Sequence, residues 1–171
     1  MNMCIYINLE DYIAEWFIHE QGGCTPVHLT RGSVESKLLE VYLVPFPPGG
    51  RLVPKEEEGK NRTVSIMIPN FRNRPPERYN YLPERAMRAL HTIIRNRFDV
   101  QLWTDLHGFG KIGQQQQDLI YAWMEKHGIT PSEKNWCTIA KRYQRQRTHY
   151  LKVQSDKARY DKKKCMISCQ K

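Results

Sequence analysis

Thr130-Pro131-Ser132-Glu133-Lys134-Asn135-Trp136-Cys137-Thr138-Ile139-Ala140-Lys141-Arg142-Tyr143-Gln144-Arg145-Gln146-Arg147-Thr148-His149-Tyr150-Leu151-Lys152-Val153 is the stretch whose reading decides the fold. It opens with a helix-start signal. The Thr130 hydroxyl is placed to cap free backbone N–H groups, and Pro131 suits a first helical position, where its missing N–H costs nothing. Glu133 follows the threonine by three residues and completes a capping box. Two faces then separate. Trp136, Ile139, Ala140, Tyr143, Tyr150 and Leu151 recur at three- and four-residue steps, the spacing of one helix face. Lys134, Thr138, Lys141, Arg142, Arg145, His149 and Lys152 fall largely on the other. Beyond Val153 come Ser155-Asp156-Lys157 and Lys162-Lys163-Lys164, a composition that predicts fraying into a basic tail over 154–171.

Upstream of this helix, Leu119, Ile120, Trp123 and Met124 predict a helix over 114–127, ended by Gly128 as a C-terminal cap. Two helices joined by a short glycine-containing turn, the second amphipathic and basic, define a helix-turn-helix-like unit at 114–153. Gly108 to Gly113 is a glycine-rich break before it. Earlier still, Pro83 starts a helix running to Arg97, with Ala86, Leu90, Ile93, Ile94 and Phe98 at buried-face spacing. Asp99 is then placed to cap a separate short helix holding Leu102, Trp103 and Leu106.

The N-terminal third mixes elements. Cys4–Ile7 reads as a strand, and Asn8 as the cap of a helix through Gln21 that Gly22-Gly23 stops. Val27–Leu29 is extended. Ser33 caps a helix carrying Val34, Leu38, Leu39, Tyr42 and Leu43, with a strand over 39–44 as the rival. Residues 45–61, with five prolines or glycines in the first six positions and Glu56-Glu57-Glu58, make a loop. Thr63–Ile68 alternates as a strand, and 69–76 is a basic connection. The expected fold is therefore α+β and mainly helical. A small N-terminal α/β portion (1–68) packs on a helical, basic portion (69–153), and a basic tail follows (154–171).

The chain has 171 residues, 40% of them hydrophobic, with a net charge of +9. That apolar content suffices for a folded core, and the positive surplus repels itself unless an anionic partner answers it. The charge is graded: −4 over residues 1–60, +4 over 61–110 and +9 over 111–171. A gradient peaking at one end is the footprint of a surface that meets a polyanion, and it rules out the acidic first third as that surface. Cys4, Cys24, Cys137, Cys165 and Cys169 form no C-x-x-C pair, so reduced thiols and a cytoplasmic setting are expected. No secretory signal and no membrane span is read from the sequence.

In a helix-turn-helix the early residues of the second helix reach base edges. Lys134, Asn135, Thr138, Lys141 and Arg142 are thus the candidate base readers, and Arg145, Arg147, His149 and Lys152 the candidate phosphate contacts. A second cluster, Arg72, Arg74, Arg78, Arg85, Arg88, Arg95 and Arg97, either extends the phosphate track or pairs with the acidic third inside the fold. Tyr79 and Tyr81 could stack on unpaired bases, although Tyr79–Leu82 also reads as core and turn.

Enzyme signals are poorer. Gly108-Phe109-Gly110-Lys111-Ile112-Gly113 matches G-x-G-x-x-G, but a helix rather than a strand precedes it. Tyr143 and Tyr150 lie among arginines as strand-transfer tyrosines do, yet both sit on the packing face. Glu58-Gly59-Lys60 has a nuclease-like E-x-K with no strand to hold it. The six histidines lack ligand spacing. No catalytic residue, metal or cofactor is assigned. Through Tyr79–Leu82, Phe98–Leu106 and Ile129–Leu151 the chain resembles small uncharacterised bacterial proteins of the kind carried on mobile elements, a resemblance that implies no mechanism. The expected function is non-enzymatic binding of duplex DNA, regulatory or otherwise, through the basic C-terminal helix. The alternatives are a protein-interaction adaptor docking through Trp103, Phe109 and the acidic 56–58 segment, or a nuclease or strand-transfer enzyme.

Overall fold

A computed structural model of the chain describes residues 3–48, 61–109 and 116–168, with the backbone path alone for 109, 116 and 161–168. Three strands and five helices follow in the order β1 (Cys4–Glu10), α1 (Asp11–Glu20), β2 (Val27–His28), α2 (Val34–Tyr42), β3 (Asn61–Met67), α3 (Glu84–Phe109), α4 (Gln116–Lys126) and α5 (Glu133–Ser168). The expected mainly helical α+β class is the one observed. The sheet order is β1-β3-β2. β1 and β3 run antiparallel from Cys4 opposite Met67 to Glu10 opposite Asn61, while β2 runs parallel to β3.

Strand alternation sets the inner face. Ile5, Ile7 and Leu9 of β1 and Val64 and Ile66 of β3 are buried, as period-two patterning dictates for a sheet covered on one side. Trp16 and Phe17 of α1 and Leu90, Ile94, Phe98 and Leu102 of α3 join them in one core. That core continues into α4 and α5 through Ile120, Trp123, Met124, Ile139 and Tyr143. Phe98 is its aromatic hub, meeting Tyr12, Trp16 and Trp123 edge-on at ring-centre distances of 5.5, 5.3 and 5.6 Å. Edge-to-face contact is the arrangement that the aromatic quadrupole favours.

Helix boundaries follow local chemistry. Ser33 caps α2 by accepting from the Ser36 N–H at 3.1 Å, as its position predicts. At the end of α4, the Gly128 N–H donates to the Glu125 carbonyl at 3.2 Å and the Ile129 N–H to the Met124 carbonyl at 2.9 Å. This is a Schellman termination, with Gly128 at φ +66° and the apolar pair Ile129 and Met124 buried beneath it.

Four expectations need correction. Asn8 does not cap α1; it lies within β1, where its side chain accepts from the Thr63 hydroxyl at 2.8 Å. Asp99 starts no separate helix, because α3 runs unbroken from Glu84 through Gly108 to Phe109. Leu90, Ile94, Phe98, Leu102 and Leu106 form one buried stripe, and that stripe outweighs a capping-competent residue in mid-pattern. The cap of α5 is Ser132, whose hydroxyl accepts from the Asn135 N–H at 3.2 Å. Thr130 instead turns its own hydroxyl and N–H onto the Glu15 carboxylate at 2.9 and 2.8 Å. Finally, α5 does not end near Val153 but stays helical to Ser168. The glycines at 110 and 113, most of the 45–61 loop (49–60), positions 114–115 and Cys169 lie outside the described residues.

Candidate nucleic-acid interface

α5 has two segments. Up to about Tyr150 it is packed, with Ile139, Ala140 and Tyr143 buried and Trp136 stacked on Tyr121 of α4 at a ring-centre distance of 6.1 Å. From Leu151 to Tyr160 every residue is exposed. At ~1.5 Å per residue the portion from 151 to 168 projects about 27 Å past the last ring contact.

The candidate base readers are not all available. The first turn of α5 lies against the acidic helix α1. Lys134 pairs with Asp11 at 3.9 Å, and Thr130 just before the helix is held by Glu15. Asn135 is buried, and its amide donates to the Thr130 carbonyl at 3.0 Å. Thr138 returns its hydroxyl to the Lys134 carbonyl at 2.9 Å. Arg142 sits inward: its guanidinium lies 3.3 Å from Asp99 and 5.7 Å above the rings of both Tyr12 and Phe98. Asn135 and Arg142 therefore belong to the scaffold. Of the five candidate base readers, these two are turned away from any groove that the start of the helix could enter.

Around Arg142 the structure gathers a group that composition did not reveal: Glu10, Tyr12, His91, Arg95 and Asp99. Arg95 pairs with Glu10. Burial raises the Asp99 carboxyl above the usual carboxylate range, with Arg142 and Arg95 opposing. Burial likewise pushes the Tyr12 phenol up to about 12. The His91 imidazole is lowered, first by burial and then by the positive Arg95. These groups knit β1, α1, α3 and α5 together. Their long-range pairing leaves no periodic trace in sequence. A second buried knot joins α1, α3 and α4: the His127 ring nitrogens lie 2.9 Å from Glu20 and 3.1 Å from Asp105, which also accepts from the Trp123 indole at 3.0 Å.

The remaining candidates fall into place by helix geometry. Lys141, Arg145, Thr148, His149 and Lys152 share one exposed face of α5, and Arg159 continues it one further heptad on. Arg147 is exposed too, but at ~100° per residue it stands roughly 200° around the helix from Arg145 and does not join that face. Among the described residues, none of Lys141, Arg145, Arg147, Lys152, Lys157 and Arg159 has an ion-pair partner. From 141 to 160 there are seven Lys and Arg against one acidic residue, so this is an open cationic edge.

The other arginine cluster is divided: Arg74, Arg95 and Arg97 are drawn into the fold, while Arg72, Arg78, Arg85 and Arg88 stay exposed. Arg97 pairs with the buried Glu35 at 3.1 Å, Arg95 with Glu10 and Arg88 with Glu84, and Arg74 donates to the Leu43 carbonyl at 2.5 Å. Arg74 and Arg78 also lie over the Tyr79 ring at 5.7 and 5.8 Å. Tyr81 bridges to Val44 by backbone hydrogen bonds, which makes Tyr79–Leu82 core and turn. Tyr143 is buried, with its hydroxyl 3.4 Å from the Leu106 carbonyl, a position closed to attack on phosphorus. No cluster of His, Cys, Asp and Glu able to hold a metal occurs among the described residues, and none of the described helices is long and apolar enough to cross a membrane.

Compared with protein-family models, curated proteins and solved structures, the chain matches none.

Proposed function

We propose that this is a non-enzymatic DNA-binding protein that grips the phosphate backbone with the outward face of α5. The carrying observation is the exposed row Lys141, Arg145, Lys152 and Arg159, each without an ionic partner among the described residues. Lys141 and Arg145, one turn apart, repel each other by a few tenths of a kcal/mol, and an anion bound along the row relieves that repulsion. Because Asn135 is buried and Arg142 is turned onto Asp99, contact runs through phosphates from Lys141 outward rather than through base edges at the helix start.

Binding to a fluorescent duplex, titrated against salt, tests the reading. Counterion release predicts a linear fall of log affinity with log salt. Replacing Lys141, Arg145 and Lys152 together by Ala is expected to reduce that slope by up to ~3 while leaving the fold intact. Arg142 is excluded from the set because it holds Asp99. No binding at low salt would overturn the proposal.

A further inference from the structure

Beside the cationic row, α3 and α5 diverge to leave an open cleft of about 570 Å³ lined by Trp103, Arg145, Gln146, His149, Tyr150 and Val153. Its chemistry is divided. Trp103, Tyr150 and Val153 are apolar or aromatic, and Tyr150 and Val153 each retain 37% of their exposure. Arg145, Gln146 and His149 are polar, and among the described residues no carboxylate lines the cleft. The rings are already organised: Trp103 stacks on His107 at 4.3 Å, and Tyr150 leans on both at 5.3 and 4.8 Å, so the Tyr150 ring is braced from behind. The Gln146 amide is turned into the fold rather than into the cleft. Its N–H donates to the Asp99 carbonyl at 3.2 Å, while its Oε1 has no hydrogen-bond partner among the described residues.

We infer that this cleft receives an unpaired DNA base. The inference rests on the proposed phosphate-binding face and names the kind of DNA that face serves. A braced aromatic ring with an open side is a stacking platform for a base, and Arg145 and His149 lie where the adjoining phosphates would run. Arg145 belongs both to the cleft and to the cationic row, so one strand can lie along the row and turn a base into the cleft. A paired base inside a duplex is stacked on both faces and cannot enter, so the preferred DNA carries an unpaired base.

The test compares a 20-base-pair duplex with the same duplex carrying one extra unpaired thymine, both fluorescein-labelled and at low salt. The wild-type protein is expected to bind the bulged duplex about tenfold more tightly, the size of one base-aromatic stack. Tyr150→Phe should keep that advantage and Tyr150→Ala should lose it, with affinity for the intact duplex unchanged in both. Equal wild-type affinity for the two duplexes would overturn the inference and leave phosphate binding standing, independent of any variant. So would a Tyr150→Ala protein that keeps the bulge preference or weakens both duplexes equally. Failure to bind either duplex would remove the phosphate-binding reading and the cleft with it.

Discussion

Arg142 shows how a residue type misleads when its surroundings are unknown. In sequence it is one cation in a basic run, adjacent to Lys141 and three residues from Arg145. In the fold those neighbours face solvent, while Arg142 turns toward α3 and α1. There it meets Asp99 at 3.3 Å and lies over two aromatic rings. Its side chain is only 18% exposed. Removing one partner of a mostly buried pair leaves the other charge uncompensated, which costs more than the pair itself contributes. Arg142→Ala is therefore expected to lower unfolding free energy by about 2–4 kcal/mol in urea titrations. Lys141→Ala should stay within roughly 0.5 kcal/mol of the parent. Asp99→Asn added to Arg142→Ala should restore part of the loss, since a neutral side chain needs no counter-charge. Equal effects at 141 and 142 would show that the inward placement is wrong.

At the scale of elements, the turn from α4 into α5 fixes where the basic helix points, and Gly128 is its pivot. The residue adopts φ +66°, and a Cβ there would stand 2.6 Å from the His19 ring of α1. Gly23 also has positive φ, +74°, yet has open space where its Cβ would be. Left-handed backbone costs a non-glycine residue ~1–2 kcal/mol. Gly128→Ala should add steric conflict to that and destabilise by about 1–3 kcal/mol, a fall of ~3–10 °C in thermal midpoint for a chain of this size. Gly23→Ala should cost less. His19→Ala placed with Gly128→Ala should recover the steric share alone, which a thermal melt of the four proteins would separate. The glycine stop was legible in sequence because Leu119 to Met124 ended in front of it. The start of α5 was legible only to within a turn. Thr130 and Ser132 are both capping-competent, and the choice between them was made by Glu15, 115 residues away. Asp99 failed as a helix-start signal for the same reason: local chemistry offers options, and distant packing selects among them. The stripes that fill the core were readable throughout, since burial imposes periodicity. The Arg142 network and the Trp103–Tyr150 cleft join distant segments through single side chains and impose none.

At the scale of the whole molecule, charge and core are separated along the chain. The core closes around the sheet, α1, α3, α4 and the first half of α5, and none of the large exposed apolar side chains beyond Tyr150 joins it. Residues 154–171 hold six Lys and Arg against two Asp, a net +4 out of the total +9. A helix that projects without packing draws little stability from tertiary contact and adds repulsion, so its contribution lies in what it binds. Ending the chain after Val153 should accordingly leave the thermal midpoint within about 2 °C of the parent, since Gln154 to Tyr160 are all exposed. Helical ellipticity should fall with the lost turns. Affinity for duplex DNA should drop, and the salt slope should shrink by as much as ~5 if all six cations meet phosphate. A slope that does not change would confine the interface to Lys141–Lys152 and assign the projecting turns no part in it. A large loss of thermal stability would mean instead that these turns pack on the body, contrary to the exposure of 154–160.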